Sequence, residues 1–234
     1  MQFSVVGERD PFLLVSLEQG EAVFAESGAM VSMATTLDLK GEVRGGLLSA
    51  VARKLTAGET LFTQRVEGAR GSGEVLLAPA LPGDVQILEV GALQYVLNDG
   101  AFLAAETSVE LRMKAQGIGQ ALWGGTGGFF VVQTAGRGKL AVGGFGSLFS
   151  LTVERGSDLI IDNQHVIAWD SRLDYTLSTR TVGGGGFFSN LINSQTSGEG
   201  LVTRFTGEGK VLVSSRNRDA FTSYLRSQIV PPSQ

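Results

Sequence analysis

The stretch "TAGRGKL", residues 134–140, carries the residue types of a phosphate loop, with Gly136, Gly138 and Ala141 matching G-x-G-x-x-A. Phosphate binding needs such glycines between a strand and a helix, so that backbone N–H groups and the helix N-terminus meet the anion. Here Lys139-Leu140-Ala141-Val142 follows, then more glycine, with no helical pattern. A Walker loop would need glycine at position 133 and Ser or Thr after Lys139, where Gln133 and Leu140 stand. Neither nucleotide motif holds, and a tight turn using glycine for positive φ is expected.

His165, the one histidine, lies in "IIDNQHVIAWD" between Asp162 and Asp170. These are acid–base and ligand residue types, but a triad needs a nucleophile and a zinc site needs further N or S ligands. With no cysteine in the chain there is no thiolate ligand or thiol nucleophile. The corresponding turns elsewhere read "ESG" and "NDG", so His165 is expected to be a turn residue in left-handed backbone. Glu18, Glu89 and Glu154 stand at three E-x-G turns. Gathered on an axis they would make an oxygen-ligand cation site; as separate turns they would be solvated. Arg216, Arg218 and Arg226 give the C-terminal stretch a basic character, with Phe221, Tyr224 and Leu225 at helical spacing. A helix docked on the body is expected there. No catalytic residue, cofactor or metal site is assigned, and no enzyme activity is expected.

The elements that position these residues form a repeat. "GSGEVLLA" from Gly71, "GRGKLAV" from Gly136 and "GEGKVLV" from Gly207 each place G-x-G-[EK] before an apolar run. "LEQGEAVFAESGAMVSM" from Leu17, "LEVGALQYVLNDGAFLAA" from Leu88 and "VERGSDLIIDNQHVIAW" from Val153 each read strand, E-x-G turn, strand, polar turn, strand. Gly71 to Gly91 and Gly136 to Gly156 are both 20 residues, whereas Gly20 to Gly71, Gly91 to Gly136 and Gly156 to Gly207 are 51, 45 and 51. All length variation therefore lies in one segment of the unit. There, "GGLLSAVARKL", "GIGQALWGG" and "GGGGFFSNLINSQ" carry apolar residues at helical spacing behind glycine.

Thirty-three glycines against five prolines agree with a turn-rich β architecture. The expected fold is all-β: three pseudo-symmetric antiparallel repeats, about 1–70, 71–135 and 136–216, with short helical inserts. A C-terminal helix and tail over 217–234 complete it. "FSVV" near the N-terminus and "VLVS" from Val211 match the strand after each G-x-G turn, so the terminal strands are expected to lie near each other and help close the ring.

A net charge of −4, a pI near 5.1 and only two Trp and three Tyr make a broad nucleic-acid grip unlikely. The opening "MQFSVVGERDPF" resembles no targeting segment and no apolar run is long enough to span a bilayer, so a soluble cytoplasmic protein is expected.

With "GAMVSM", "GETLF", "PGDVQILEVG", "GAFLAA", "DNQHVIAW" and "GEGLVTRFTGEGKVLV" in this order, the chain resembles the bacterial relatives of the "altered inheritance of mitochondria" mitochondrial-biogenesis proteins. The resemblance runs from Met1 to about Ser215. It implies a fold similar to the tryptophan RNA-binding attenuator protein, with pseudo-threefold β repeats, and carries no catalytic or ligand residues with it.

The inserts are then the expected interaction surface, through Leu47, Leu48, Val51, Phe187, Phe188 and Leu191. Short amphipathic helices need something to bury their stripe against. Packing on their own core, a homo-oligomer, or a protein or membrane-surface contact all satisfy that need. The expected function is a non-catalytic, self-associating scaffold or interaction module; a small-ligand or nucleic-acid binding module is the alternative.

Overall fold

Short apolar runs separated by glycine turns become 19 strands among the residues that the computed structural model describes, 1–44, 61–116, 129–179 and 201–229. Six strands come first: β1 (Gln2–Val6), β2 (Phe12–Leu17), β3 (Ala22–Glu26), β4 (Met30–Met33), β5 (Asp38–Arg44) and β6 (Leu61–Glu67). Then come β7 (Gly73–Leu77), β8 (Val85–Val90), β9 (Tyr95–Leu97), β10 (Phe102–Glu106), β11 (Val109–Gln116) and β12 (Phe129–Gly136). The third six are β13 (Gly138–Gly143), β14 (Leu148–Val153), β15 (Leu159–Asp162), β16 (Val166–Asp170), β17 (Asp174–Thr179) and β18 (Leu201–Thr206). β19 (Gly209–Ser214) and one helix, α1 (Arg218–Ile229), follow.

The strands pair antiparallel in four sheets: sheet I, β1-β2-β7-β4; sheet II, β5-β6-β3-β10-β13-β8; sheet III, β11-β12-β9-β16-β19-β14; and sheet IV, β15-β18-β17. Strands at corresponding places in the chain pair alike. β2, β8 and β14 lie against β7, β13 and β19. β4, β10 and β16 take the same three partners with a register shift at the same position: Met30/Ser32, Phe102/Ala104 and Val166/Ala168. A bulge inserts one unpaired residue and bends the strand, so its recurrence marks a shared backbone path. β3 pairs with β10 and β9 pairs with β16, each through three residue pairs.

The turns that resembled phosphate loops join β6 to β7, β12 to β13 and β18 to β19. Gly136 and Gly207 have φ of +82° and +106°, a region open to glycine at little steric cost. A Cβ on Gly138 would lie 2.7 Å from the Glu106 carboxylate, and one on Gly209 3.1 Å from Asp170 Cβ, so these glycines also let two segments touch.

Three core clusters lie between successive sheets. Leu13, Val15 and Val75 of sheet I meet Val23, Ala25 and Ala141 of sheet II. Phe24, Ala105 and Leu140 of sheet II meet Leu97, Ala168 and Leu212 of sheet III. Val96, Trp169 and Val211 of sheet III meet Ile161 and Phe205 of sheet IV. Sheets II and III are thus covered on both faces. That is why β3 and β10 read "AVFAE" and "FLAAE", continuous apolar runs instead of an alternating pattern.

The terminal strands do not pair with each other. β1 pairs with β2 in sheet I, while β19 lies between β16 and β14 in sheet III, so the two terminal strands share no sheet and close no ring by pairing. β19 does occupy the place that β7 and β13 take in the preceding units, as its "VLV" run requires.

Candidate functional site

The turn after β3, the turn after β9 and the turn after β15 converge with the ends of β13 and β19 on a cleft of about 760 Å³. Its apolar wall includes Leu81, Phe102, Leu103, Phe145, Val166 and Ile167. Asn98 fixes the floor: its side-chain amide donates to the carbonyls of Asn163 (3.1 Å) and Val166 (2.9 Å), and its backbone N–H donates to Ile167 O. Gly100, at φ +73°, lets the chain turn back into β10. After β15 the chain makes a 3-10 turn, Asn163–His165, capped by the Asp162 carboxylate on Gln164 N.

Glu26, also on the cleft, occupies the place in its turn that Asn98 takes in the next, since Ala25 and Leu97 hold matching positions in the β3–β10 and β9–β16 pairings. Burial, then the negative charge of Asp99, pushes its carboxyl above the ordinary value. On the opposite side the Arg216 guanidinium lies 5.9 Å from the centre of the Phe145 ring, within cation–π range. Arg218 approaches Asp219 at 3.8 Å. The cleft can therefore take an apolar group flanked by charges of both signs.

His165 is half-buried and its Nδ1 lies 2.8 Å from Ser214 O, pinning the end of β19. The Ser214 hydroxyl donates to Arg216 O at 3.0 Å, so it is directed at the backbone. The turn placement expected for His165 holds, but its backbone is 3-10 and not left-handed; Asp10 is the one described non-glycine residue with positive φ. The Asp162 cap explains the difference, because a carboxylate accepting the N–H two residues on stabilises a right-handed turn.

A second cleft, about 800 Å³, lies beside β8, β14 and β19 and contains Tyr95, Asp170 and Arg172. Asp170 is 4% exposed. Arg172 grips it through Nε at 3.0 and 3.1 Å and Nη2 at 2.5 Å, and donates its backbone N–H at 3.0 Å. Burial works to raise the Asp170 carboxyl, but these bonds outweigh it and hold the group below its ordinary value. Burial, and then Asp170 itself, raises the Tyr95 phenol. This carboxylate is saturated by its partner, an arrangement that orders the turn into β17.

α1 starts on an Asn217 cap, whose side chain accepts from Ala220 N at 2.8 Å. Its first turn is anchored by Phe221, edge-on to Phe145 with ring centres 5.1 Å apart, and by Asp219, which accepts from Gln164 at 3.1 Å. None of its residues is buried. Tyr224, Leu225 and Ile229 are 60%, 39% and 75% exposed. The expected docked helix is thus docked by one turn only, and its apolar stripe faces outward.

Leu47, Leu48, Val51, Phe187, Phe188 and Leu191 lie outside the described residues, as do Ile118 and Leu122. The three inserts that hold them connect β5 to β6, β11 to β12 and β17 to β18. Each connects strands paired up to Arg44↔Leu61, Gln116↔Phe129 and Thr179↔Leu201. Glu18, Glu89 and Glu154 are exposed. Among the described residues no three acidic or imidazole groups gather as a metal site, so the three turns do not converge as ligands. Glu89 instead stands across from Lys139 in the β8–β13 ladder. The cleft around Asn98 and Phe145 was not read from sequence. Its one local signal is the "NDG" turn, which fits any turn with φ above zero equally well.

A profile of the mitochondrial biogenesis AIM24 family matches residues 3–216. An uncharacterized protein of Streptococcus pyogenes serotype M6 is 38% identical over 223 residues, 92% of this chain and 86% of that protein. The crystal structure of another Streptococcus pyogenes protein is 34% identical with a TM-score of 0.79, covering 97% of this chain and 99% of that one.

Proposed function

The chain belongs to the mitochondrial biogenesis AIM24 family, and we propose that it is a non-catalytic interaction module, built from three copies of one β unit, that works in the cytoplasm and associates with its own copies. The observation that carries this reading is α1, which presents Tyr224, Leu225 and Ile229 outward while burying no residue. A twelve-residue helix is marginal in water without a covered apolar face, and the bare outer face of this one among the described residues favours a contact with a second copy. The groups with chemical potential point the same way: Asp170 is consumed by Arg172, and the His165 ring by the backbone of Ser214. No helix among the described residues is long and apolar enough to cross a membrane. A surface contact with lipid is the remaining membrane role, and the net charge of −4 disfavours nucleic acid.

Light scattering across a concentration series, with liposome flotation, tests this for wild type and Tyr224→Asp/Ile229→Asp. Circular dichroism checks the fold. Assembly of the wild type supports self-association, and loss of a partner or lipid contact in a folded variant assigns it to α1. A wild type that stays monomeric and does not float rules out both forms of contact. The apolar cleft favours one second reading, a small amphipathic ligand held between Phe145 and Asn98. A raised melting temperature with a short-chain amphiphile, abolished by Phe145→Ala, is its signature.

A further inference from the structure

Two strands stand half-paired at places where their counterparts are paired on both sides. Among the described residues, β3 lies between β6 and β10, and β9 lies between β12 and β16, but β15 has β18 alone. Among the same residues, β10 lies between β13 and β3, and β16 lies between β19 and β9, but β4 has β7 alone. The side chains show the same vacancy. Phe24 pairs with Ala105 and is 5% exposed; Val96 pairs with Trp169 and is 6% exposed; Ile160, at the matching position of β15, is 62% exposed. On β4, Val31 at the bulge is 51% exposed, whereas Leu103 at the bulge of β10 is buried.

We infer that β15 of one copy pairs antiparallel with β4 of a second copy of this chain, head to tail, in the register of the internal β3–β10 and β9–β16 junctions. Those junctions set Ala25 against Ala104 and Phe24 against Ala105, and Leu97 against Ala168 and Val96 against Trp169. Transferred to the free edges, Ile161 faces Ser32 and Ile160 faces Met33. Ile160 is thereby brought beside Met33, at the margin of the core between sheets I and II. Short strands and bulges often serve to discourage edge pairing. Here the same bulge sits in β10 and β16, both of which pair, so it presents no obstacle. Because the two edges differ, the contact is heterologous, and copies add in series or close into a ring.

This inference rests on the self-association reading and adds to it an edge contact separate from the face of α1. The chain has no cysteine, so single thiols report it cleanly. Met33→Cys and Ile160→Cys proteins, mixed under copper–phenanthroline oxidation, are expected to give a disulfide dimer containing one of each, and neither alone a homodimer. Ile160→Lys, at an exposed position, is expected to keep the wild-type circular dichroism and to lower the scattering mass of the assembly. Val31→Lys should do so from the other edge. Added to wild type, Ile160→Lys retains β4 and should cap growing assemblies, lowering their mean mass. Assemblies that survive both lysine variants and give no mixed disulfide overturn the edge contact while leaving self-association standing. A wild type monomeric at every concentration overturns both.

Discussion

Truncating Phe24, Val96 and Ile160 one at a time asks what covers the matching position of β3, β9 and β15. Phe24 and Val96 are 5% and 6% exposed and belong to the second and third core clusters; Ile160 is 62% exposed. A buried Phe→Ala change costs about 3–5 kcal/mol through lost transfer energy and the cavity left behind. Val→Ala removes two carbon groups worth about 0.8 kcal/mol each and leaves a smaller cavity, about 2–3 kcal/mol in all. Ile160→Ala on the isolated chain falls within about 0.5 kcal/mol, the usual range for a surface change. At about 2–4 °C per kcal/mol for a chain of this size, melting temperatures should fall by about 6–20, 4–12 and at most 2 °C. Thermal unfolding followed by circular dichroism, at a dilution where the chain is monomeric, measures all three. If Ile160→Ala costs as much as Val96→Ala there, β15 is covered within its own chain, and both the vacancy and the pairing built on it are refuted.

Two further outcomes are expected from thermal melts. Gly138→Ala places a Cβ 2.7 Å from the Glu106 carboxylate at φ +143°, whereas Gly20→Ala meets nothing within 4 Å at φ +84°; Gly20→Ala should cost about 1–2 kcal/mol of backbone strain and Gly138→Ala clearly more, and equal losses would show that the close approach is unimportant. The two perturbed carboxyls should respond oppositely to pH. Burial raises Glu26 above 4.5, so its ionised form opposes folding at pH 7; Glu26→Gln should stabilise there, with the gain vanishing as pH falls below 4.5. Arg172 holds Asp170 below 3.8 against its burial, so its contribution is present above 3.8 and lost as pH falls through the folded value; Asp170→Asn should destabilise at pH 7 and progressively less in acid.

The recurring strand pairing was legible in part in the sequence because the turns that accompany it are backbone requirements. A G-x-G turn needs glycine for its φ and for contact with the segment at Glu106 or Asp170, so the motif survives where side chains drift. Runs such as "AVFAE" likewise announce strands covered on both faces. What could not be read was the partner of each strand. The β3–β10 pairing joins residues about 80 apart, Ala25 with Ala104, and nothing local to either strand names the other. The terminal strands show this too: "FSVV" is like "VLVS" in composition, yet among the described residues β1 pairs with β2 alone, whereas β19, like β7 and β13, lies between two strands. α1 shows the same limit, since a stripe at helical spacing looks identical whether it is covered or bare.

Strands at corresponding places in the chain carry more information together than any one motif does. Where corresponding strands agree, in the G-x-G turns and the bulges, the residues are explained by the fold. Where they differ, the surroundings differ too. Asn98 can donate to two carbonyls of the following turn, while Glu26, ionised, can donate to none and carries a raised carboxyl instead. Ile160 keeps the apolar character of Phe24 and Val96 at an edge where, for the isolated chain, a polar residue would serve better. A fold that needed only to end at β15 would gain from a charge there. An apolar residue kept at a bare edge, facing the empty counterpart of a junction used twice inside the same chain, is what a contact with a second copy requires.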